Sequence, residues 1–210
     1  TLRRGRPTVH VQYGEACAML AGDALQTEAF SVLSKIDAAP EVVVRLLRTL
    51  SRASGVAGMA GGQAIDLEMV GAHPDEGALL RMQSMKTGAL IVAAVLMGAQ
   101  SGRWEELSEA SKGGLALYGH SLGIAFQVVD DILDCTQDTA TLGKTAGKDE
   151  KDDKPTWVSI LGLEGARERA RALRADAQRG LDLIAQDPSV PEGALVRLTE
   201  IADYVVARSY

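Results

Sequence analysis

Three aspartates stand close together in the stretch FQVVDDILD, residues 126–134. At about 100° of rotation per helical residue, Gln127, Asp130, Asp131 and Asp134 fall within an arc of roughly 100° on one helix face. The opposite side is apolar and consists of Val128, Val129, Ile132 and Leu133. The pattern predicts a helix with one acidic face and one face that packs against a core.

The mutual repulsion of these carboxylates indicates a bound cation. Like charges three or four residues apart destabilise a helix unless a partner neutralises them. Because two turns of apolar helix precede the acids, we expect them to line an enclosed cavity, although a solvated acidic face would give the same pattern. Carboxylates without His or Cys favour a hard ion such as Mg²⁺, which keeps several waters and shares its ligand shell with substrate phosphates.

A basic loop follows the acids. It contains Lys144, Lys148, Lys151 and Lys154 within a polar, glycine-bearing segment, 136–154. Lysine ammonium groups are mobile point charges that suit a diphosphate carrying metal. Lys148 and Lys151 alternate with acids, and we expect these two to face solvent.

Two further cationic sites lie elsewhere in the chain. Lys86, in the tripeptide Lys86-Thr87-Gly88, precedes a long apolar run and would be costly to bury without an anionic partner. Arg3 and Arg4 stand next to a glycine and suit bidentate recognition of a phosphate. Together with the acid cluster, these cations predict a metal–diphosphate site.

The elements that position these residues read as helices. Apolar residues recur at helical spacing over residues 14–33, 40–55, 73–100, 108–134, 161–186 and 191–210. Pro40 suits a first helical turn, and the small-residue run 55–68 predicts either close packing of two helices or a break at Gly61-Gly62. Because no period-2 alternation and no repeat is visible, we expect one all-α domain over residues 1–210.

Composition narrows the classes of function. The 210 residues are 46% hydrophobic, enough for one core, and a net charge of −6 argues against a nucleic-acid surface. The two cysteines, Cys17 and Cys135, share no metal spacing; we expect them to be small buried hydrophobes in a reducing, cytoplasmic compartment. No segment reaches the roughly 18 uncharged apolar residues of a membrane span. The start of the chain does not read as a signal peptide, because no apolar segment follows the N-terminal arginines.

Two familiar motifs fail in context. The pentapeptide GHSLG, residues 119–123, matches a nucleophile elbow, but its surroundings read as helix and no histidine follows Ser121. The tripeptide GKT at 143–145 lacks both the first glycine of a P-loop, whose place Asp138 takes, and a preceding strand. We therefore expect neither an esterase triad nor a P-loop.

The motifs in combination resemble the trans-isoprenyl diphosphate synthase family. The segment FQVVDDILD is similar to that family's second aspartate-rich motif, and LRRGRPT, GDAL, GGQAIDL, KTG and LGKTAGKDEKDDKPTW match further family motifs in order and approximate spacing. The resemblance covers the chain from Thr1 to Tyr210 and is nearest to bacterial farnesyl or geranylgeranyl diphosphate synthases. It implies an all-α isoprenoid-synthase bundle around a central cavity, usually as a homodimer.

The resemblance also implies a reaction. A Mg²⁺-dependent prenyltransferase would join isopentenyl diphosphate head to tail to an allylic diphosphate, dimethylallyl or geranyl diphosphate, giving farnesyl diphosphate or, alternatively, geranylgeranyl diphosphate. Asp130, Asp131 and Asp134 would coordinate the Mg²⁺ that bridges the allylic diphosphate, with Asp130 as the expected direct ligand. Thr87 and Gln127 would stabilise the developing allylic cation.

The resemblance assigns the cations to the diphosphates. Lys86, Lys144 and Lys154 would contact the allylic diphosphate as it departs. Arg3 would contact the same substrate, and Arg4 would contact the diphosphate of isopentenyl diphosphate.

One family feature is missing from the chain. Relatives carry a first D-D-x-x-D motif directly before LRRG, whereas this sequence begins at Thr1, without that motif or the preceding helices. We expect an N-terminal part to have been left out. A class I terpene cyclase is disfavoured by the LRRG and KTG cations. A non-catalytic subunit of a heteromeric synthase is favoured by the missing motif and opposed by the intact second one.

Overall fold

A computed structural model describes residues 2–3, 5–72, 74–136 and 155–208. The chain opens with a short antiparallel hairpin of Leu2–Arg3 (β1) and Arg6–Pro7 (β2), in which Leu2 pairs with Pro7. Gly5 makes the turn with φ 71°, a conformation that L residues rarely adopt. This hairpin departs from the expectation of helix alone, and strands of two residues are too short to show a period-2 pattern in sequence.

The remaining regular structure of the described residues is helical. The helices are α1 (Val9–Tyr13), α2 (Glu15–Ser34), α3 (Pro40–Ser54), α4 (Met59–Glu68), α5 (Glu76–Gln83), α6 (Ala89–Gln100), α7 (Glu109–Thr136), α8 (Trp157–Ala185) and α9 (Val196–Ala207). A π-helical turn, Ser84–Gly88, joins α5 to α6, and a 3-10 turn, Trp104–Glu106, precedes α7. The prediction of an all-α fold is confirmed.

Local sequence signals explain where several helices begin. Pro40 occupies the first turn of α3, as predicted, because its missing N–H and fixed φ suit that position. The Asp75 carboxylate caps α5 by accepting the Ala78 N–H at 2.8 Å. Thr156 and Ser159 form a reciprocal capping box that starts α8.

The core lies where α8 packs along α7. Its largest fully buried side chains include Tyr118, Ile124 and Val128 of α7, and Trp157 and Leu181 of α8. The Tyr118 hydroxyl donates to the Leu198 carbonyl at 2.8 Å, which ties α9 to α7. Burial raises the pKa of Tyr118 to about 12, so the phenol stays neutral and the core carries no charge there.

The GHSLG segment is continuous helix within α7. Ser121 is 1% exposed and lies inside the core, where no substrate could reach its hydroxyl. The prediction that this motif serves helix packing is therefore supported by its burial.

The expectation that the two cysteines are buried is wrong. Cys17 and Cys135 are both free thiols and both exposed. Cys17 lies on α2, none of whose residues is buried in the described structure. Cys135 lies in the last turn of α7, after the last buried residue of that helix. Whether a cysteine is buried depends on whether its helix face packs against another element. The sequence did not reveal that the faces carrying Cys17 and Cys135 are exposed.

By length and composition, one described helical segment, Glu76–Gln100, could cross a membrane, with a mean hydropathy of 1.3. This is weak evidence, because a core helix of a soluble protein meets the same criteria. The segment also carries Arg81 and Lys86, and its Gly88 packs against Gly123 of α7. The absence of a membrane span stays a prediction.

Candidate active site

A small polar cavity lies beside the acidic end of α7. It encloses about 70 Å³. Two of the predicted residues from α7, Gln127 and Asp131, and one from the π-helical turn, Lys86, contribute to it. The other lining residues are Asp66, Met82, Gln83, Pro155 and Thr156. Residues distant in sequence therefore meet at one point, which the motif spacing alone could not establish.

The three aspartates of α7 occupy different environments. Asp131 lines the cavity and accepts the backbone N–H of Trp157 at 2.8 Å. The Asp130 carboxylate is about one-third exposed and forms an ion pair with Arg208 at 3.0 Å. Asp134 is buried, at 8% exposure. All three share the predicted acidic side of the helix, but only Asp131 contributes to the cavity wall.

Lys86 is held by close helix packing. A Cβ on Gly62 would lie 2.1 Å from the Lys86 backbone nitrogen, so only glycine lets α4 approach the π-helical turn this closely. The packing alternative for residues 55–68 is therefore correct, and a break at Gly61-Gly62 is wrong because α4 runs through both glycines. Single π-helical turns are frequent at functional sites, because they change the direction of the side chains they carry.

Asp66 of α4 is a site residue that the sequence analysis missed. It is 9% exposed, and its Oδ2 accepts from the Lys86 ammonium at 2.8 Å. The requirement for an anionic partner of Lys86 is thus met inside the protein. The one charged residue in the run GGQAIDL was the available signal, since a buried carboxylate needs a cation or several hydrogen bonds.

The start of α8 is fixed against the cavity. The Trp157 indole Nε1 donates to the Gln83 side-chain oxygen, and the Trp157 backbone N–H donates to Asp131. A negative carboxylate at a helix N-terminus is favourable, because the first N–H groups carry partial positive charge. Asp131 therefore helps to position α8 as well as lining the cavity.

The other predicted residues are placed as follows. Thr87 lies half-buried on the same π-helical turn as Lys86. Arg3 is exposed on the N-terminal hairpin and is not among the residues that line the cavity. Arg4, Lys144 and Lys154 lie outside the described residues.

The donor set at this end of α7 fits Mg²⁺. Asp130, Asp131 and Asp134 supply carboxylate oxygens and Gln127 an amide oxygen, and none of the described residues that line the cavity carries a thiol or an imidazole. Within the described ranges, no three acidic, His or Cys side chains converge as a ready-made metal centre. Mg²⁺ commonly takes one or two protein carboxylates and completes its ligand shell with waters and substrate phosphates.

A larger cavity lies between α8 and α9. It encloses about 400 Å³ and is lined by Asp182 and Glu192 among mostly apolar residues, without any Lys or Arg. An anionic substrate would be repelled by these carboxylates. Although this cavity is the larger of the two described here, its negative charge argues against its being the diphosphate site.

Known proteins of one family resemble this chain over most of its length. The polyprenyl synthetase family model matches residues 1–184. The chain belongs to the polyprenyl synthetase family. It is 50% identical to the farnesyl diphosphate synthase of Escherichia coli over 99% of this chain and 69% of that protein. It is 42% identical to geranylgeranyl pyrophosphate synthase 9 of Arabidopsis thaliana over 99% of this chain and 57% of that protein.

Solved structures of the family have the same fold. A Helicobacter pylori geranyltransferase, crystallised with magnesium and isoprenyl diphosphate, superposes with a TM-score of 0.80 at 34% identity over 98% of this chain. This chain spans 64% of that structure's length. The family assignment and the isoprenoid-synthase fold predicted from the motifs are therefore confirmed.

Proposed function

We propose that the chain carries the allylic-diphosphate site of a Mg²⁺-dependent prenyltransferase. The enzyme joins isopentenyl diphosphate head to tail to dimethylallyl or geranyl diphosphate and gives farnesyl diphosphate as its main product. The observation that carries the proposal is the meeting of Lys86, Gln127 and Asp131 in one polar cavity. The higher identity to a farnesyl than to a geranylgeranyl diphosphate synthase, 50% against 42%, supports the product.

The acids of α7 would hold the metal. Asp130, Asp131 and Asp134 supply hard oxygen ligands on one side of the helix. When bound, Mg²⁺ supplies positive charge to the oxygens of the leaving diphosphate.

Lys86 neutralises the departing group. Its ammonium donates to Asp66 at 2.8 Å, and the side chain is partly exposed and lines the cavity, so the ammonium can donate to a diphosphate oxygen while Asp66 holds it in place. A donor fixed before the reaction stabilises the charge that develops as the C–O bond of the allylic substrate breaks. Lys144 and Lys154 are proposed to add two more donors.

The allylic cation needs weak electron donors and protection from water. We assign the Gln127 amide oxygen and the Thr87 hydroxyl oxygen to the first task, because both belong to the elements that bear the cavity. The double bond of isopentenyl diphosphate then attacks the cation, forming a C–C bond, and the resulting cation loses a proton to the released diphosphate. No protein nucleophile is required, in agreement with the buried Ser121.

The two N-terminal arginines are each assigned to a different diphosphate. Arg3 is proposed to contact the allylic diphosphate and Arg4 that of isopentenyl diphosphate, as bidentate donors.

A homodimer and a cytoplasmic location are also part of the proposal. Light scattering of the purified protein should give twice the mass of one chain, and a monomer would contradict the dimer.

A product assay tests the function. The full-length protein is incubated with isopentenyl and geranyl diphosphates and Mg²⁺, and the products are dephosphorylated and separated by chromatography. We expect farnesol, its loss with EDTA and its return with excess Mg²⁺. Geranylgeraniol as the main product would correct the chain length. No prenyl product would contradict the enzyme and favour a non-catalytic subunit.

A further inference from the structure

Arg208 reaches the acidic end of α7 from the end of α9. Its Nη2 donates to Asp130 Oδ1 at 3.0 Å and to the Phe126 carbonyl at 2.6 Å. Its guanidinium carbon lies 3.9 Å from the centre of the Phe126 ring. Phe126 and Asp130 are four residues apart, so one guanidinium covers a full turn of α7.

The burial of Arg208 makes Asp130 its essential partner. The Arg208 side chain is only 9% exposed, and its Nε has no hydrogen-bond acceptor among the described residues. A guanidinium this buried is costly unless an anion compensates its charge. The Asp130 carboxylate is 37% exposed, so it pairs with Arg208 on one side and remains open to solvent.

We infer that Arg208 is a positioning residue that neutralises and orients Asp130 before metal binds, and that it competes with the metal for this carboxylate. The inference rests on the proposed function, because it takes Asp130 as a metal ligand. The acids at 130, 131 and 134 repel one another, and a cation at Asp130 relieves that repulsion. An incoming divalent ion takes over this role and must weaken the Arg208 contact to do so.

The competition predicts an unusual result. Removing a residue that contacts the site should tighten metal binding, because the vacated carboxylate becomes fully available. We expect Arg208→Gln to raise the affinity for Mn²⁺ about three- to tenfold, the range of a partly exposed ion pair. Arg208→Lys keeps the charge without the planar fork and should give a smaller increase.

The test uses Mn²⁺ alone, without diphosphate, and the full chain. Free Mn²⁺ is measured by electron paramagnetic resonance during a titration of each variant. Arg174→Gln is the matched control, because Arg174 also ties α9 to the bundle, through Asp203, but away from the acids. Its Mn²⁺ affinity should equal that of the unaltered protein, which separates the contact with Asp130 from a general loss of positive charge.

A double-mutant cycle decides the mechanism. In an Asp130→Asn background, Arg208→Gln should leave the Mn²⁺ affinity unchanged, because the contested carboxylate is gone. Unchanged or weaker Mn²⁺ binding in both Arg208→Gln and Arg208→Lys with Asp130 intact would overturn the inference, since a purely structural anchor gives that result. If Arg208→Gln does not fold, the Arg208→Lys titration decides alone.

The outcomes separate this inference from the proposed function. If Asp130→Asn weakens Mn²⁺ binding but the Arg208 substitutions do not change it, the inference is overturned and the proposed metal site is retained. Absence of Mn²⁺ binding by the unaltered protein, or binding that Asp130→Asn does not weaken, overturns the proposed metal site and the inference with it.

Discussion

The two ends of α7 both engage aspartates, yet they satisfy them in different ways. At the N-terminal end, Asp187 accepts hydrogen bonds from the Ser111 hydroxyl at 2.6 Å and the Ser108 N–H at 2.8 Å. It also accepts from the Ser189 hydroxyl at 2.7 Å and the Ser189 N–H at 3.0 Å. The hydroxyl of Ser111 and these other donors hold the pKa of Asp187 well below its usual range.

At the C-terminal end, a cation and a helix N-terminus take the place of neutral hydroxyls. Asp130 pairs with Arg208, and Asp131 accepts the first N–H of α8. The four donors around Asp187 are fixed by the fold and serve stability. The Asp130 carboxylate instead pairs with a cation at a position open to solvent, where we propose that a metal ion replaces that cation. The difference separates Asp187, which the fold holds with four hydrogen bonds, from Asp130, which we propose as a metal ligand.

The largest expected effect is the loss of activity on substitution of Asp130, at the C-terminal end of α7. Asp130→Asn should lower the rate of prenyl transfer by about 100-fold or more, because the proposed metal then lacks a ligand at the leaving diphosphate. Steady-state assays at saturating Mg²⁺ measure the effect. Asp187→Asn, at the other end, should leave the turnover of the folded protein near normal. Equal losses in the two variants would remove the distinction between the ends.

Lys86 should come next. Lys86→Ala is expected to lower prenyl transfer about 10- to 100-fold, the effect of one charge-assisted hydrogen bond. Asp66→Asn should cause a smaller loss, because the ammonium remains but is no longer held at 2.8 Å. Kinetics with varied allylic diphosphate measure both variants. If Asp66→Asn were the more damaging change, Asp66 would have a direct role, such as a metal ligand, instead of positioning Lys86.

Alanine substitutions at two glycines of α7 test, through the free energy of unfolding, how closely this helix packs against its neighbours. A Cβ on Gly123 would lie 2.8 Å from the Gly88 Cα, so Gly123→Ala should reduce the free energy of unfolding by about 1–3 kcal/mol. A Cβ on Gly113 meets nothing within 4 Å, and Gly113→Ala should add about 0.5–1 kcal/mol. Urea denaturation measures both. A neutral Gly123→Ala would mean that α7 and the π-helical turn can move apart without cost.

The smallest expected effect is a pH dependence at the N-terminal end. Because the folded state depresses the pKa of Asp187, its stabilising contribution is complete above the ordinary value of about 4 and is lost as pH falls below it. The melting temperatures of the unaltered protein and Asp187→Asn should therefore differ most near pH 7 and converge towards pH 3. A difference that grows in acid would contradict the hydrogen-bond account.

The sequence predicted the helices because apolar spacing and caps such as Pro40 and Asp75 are local. It also predicted the family, because the motif around Asp130 and Asp131 is specific in type and spacing. It missed Arg208, because pairing with an acid 78 residues away leaves no local pattern. It also missed Asp66, for which the lone acid in GGQAIDL was a signal but gave no indication of its partner Lys86, 20 residues away. It also misjudged both cysteines, because the covering of a helix face is decided by the rest of the fold.

The central claim is that the acids of α7 and Lys86 form one metal–diphosphate site, and a calorimetric titration tests it most directly. Inorganic diphosphate is titrated into the full-length protein with and without Mg²⁺, and the same is done for Asp130→Asn and Lys86→Ala. The account predicts tight binding only with Mg²⁺ present and at least tenfold weaker binding in each variant. Diphosphate binding that is independent of Mg²⁺, or unchanged in both variants, would contradict it.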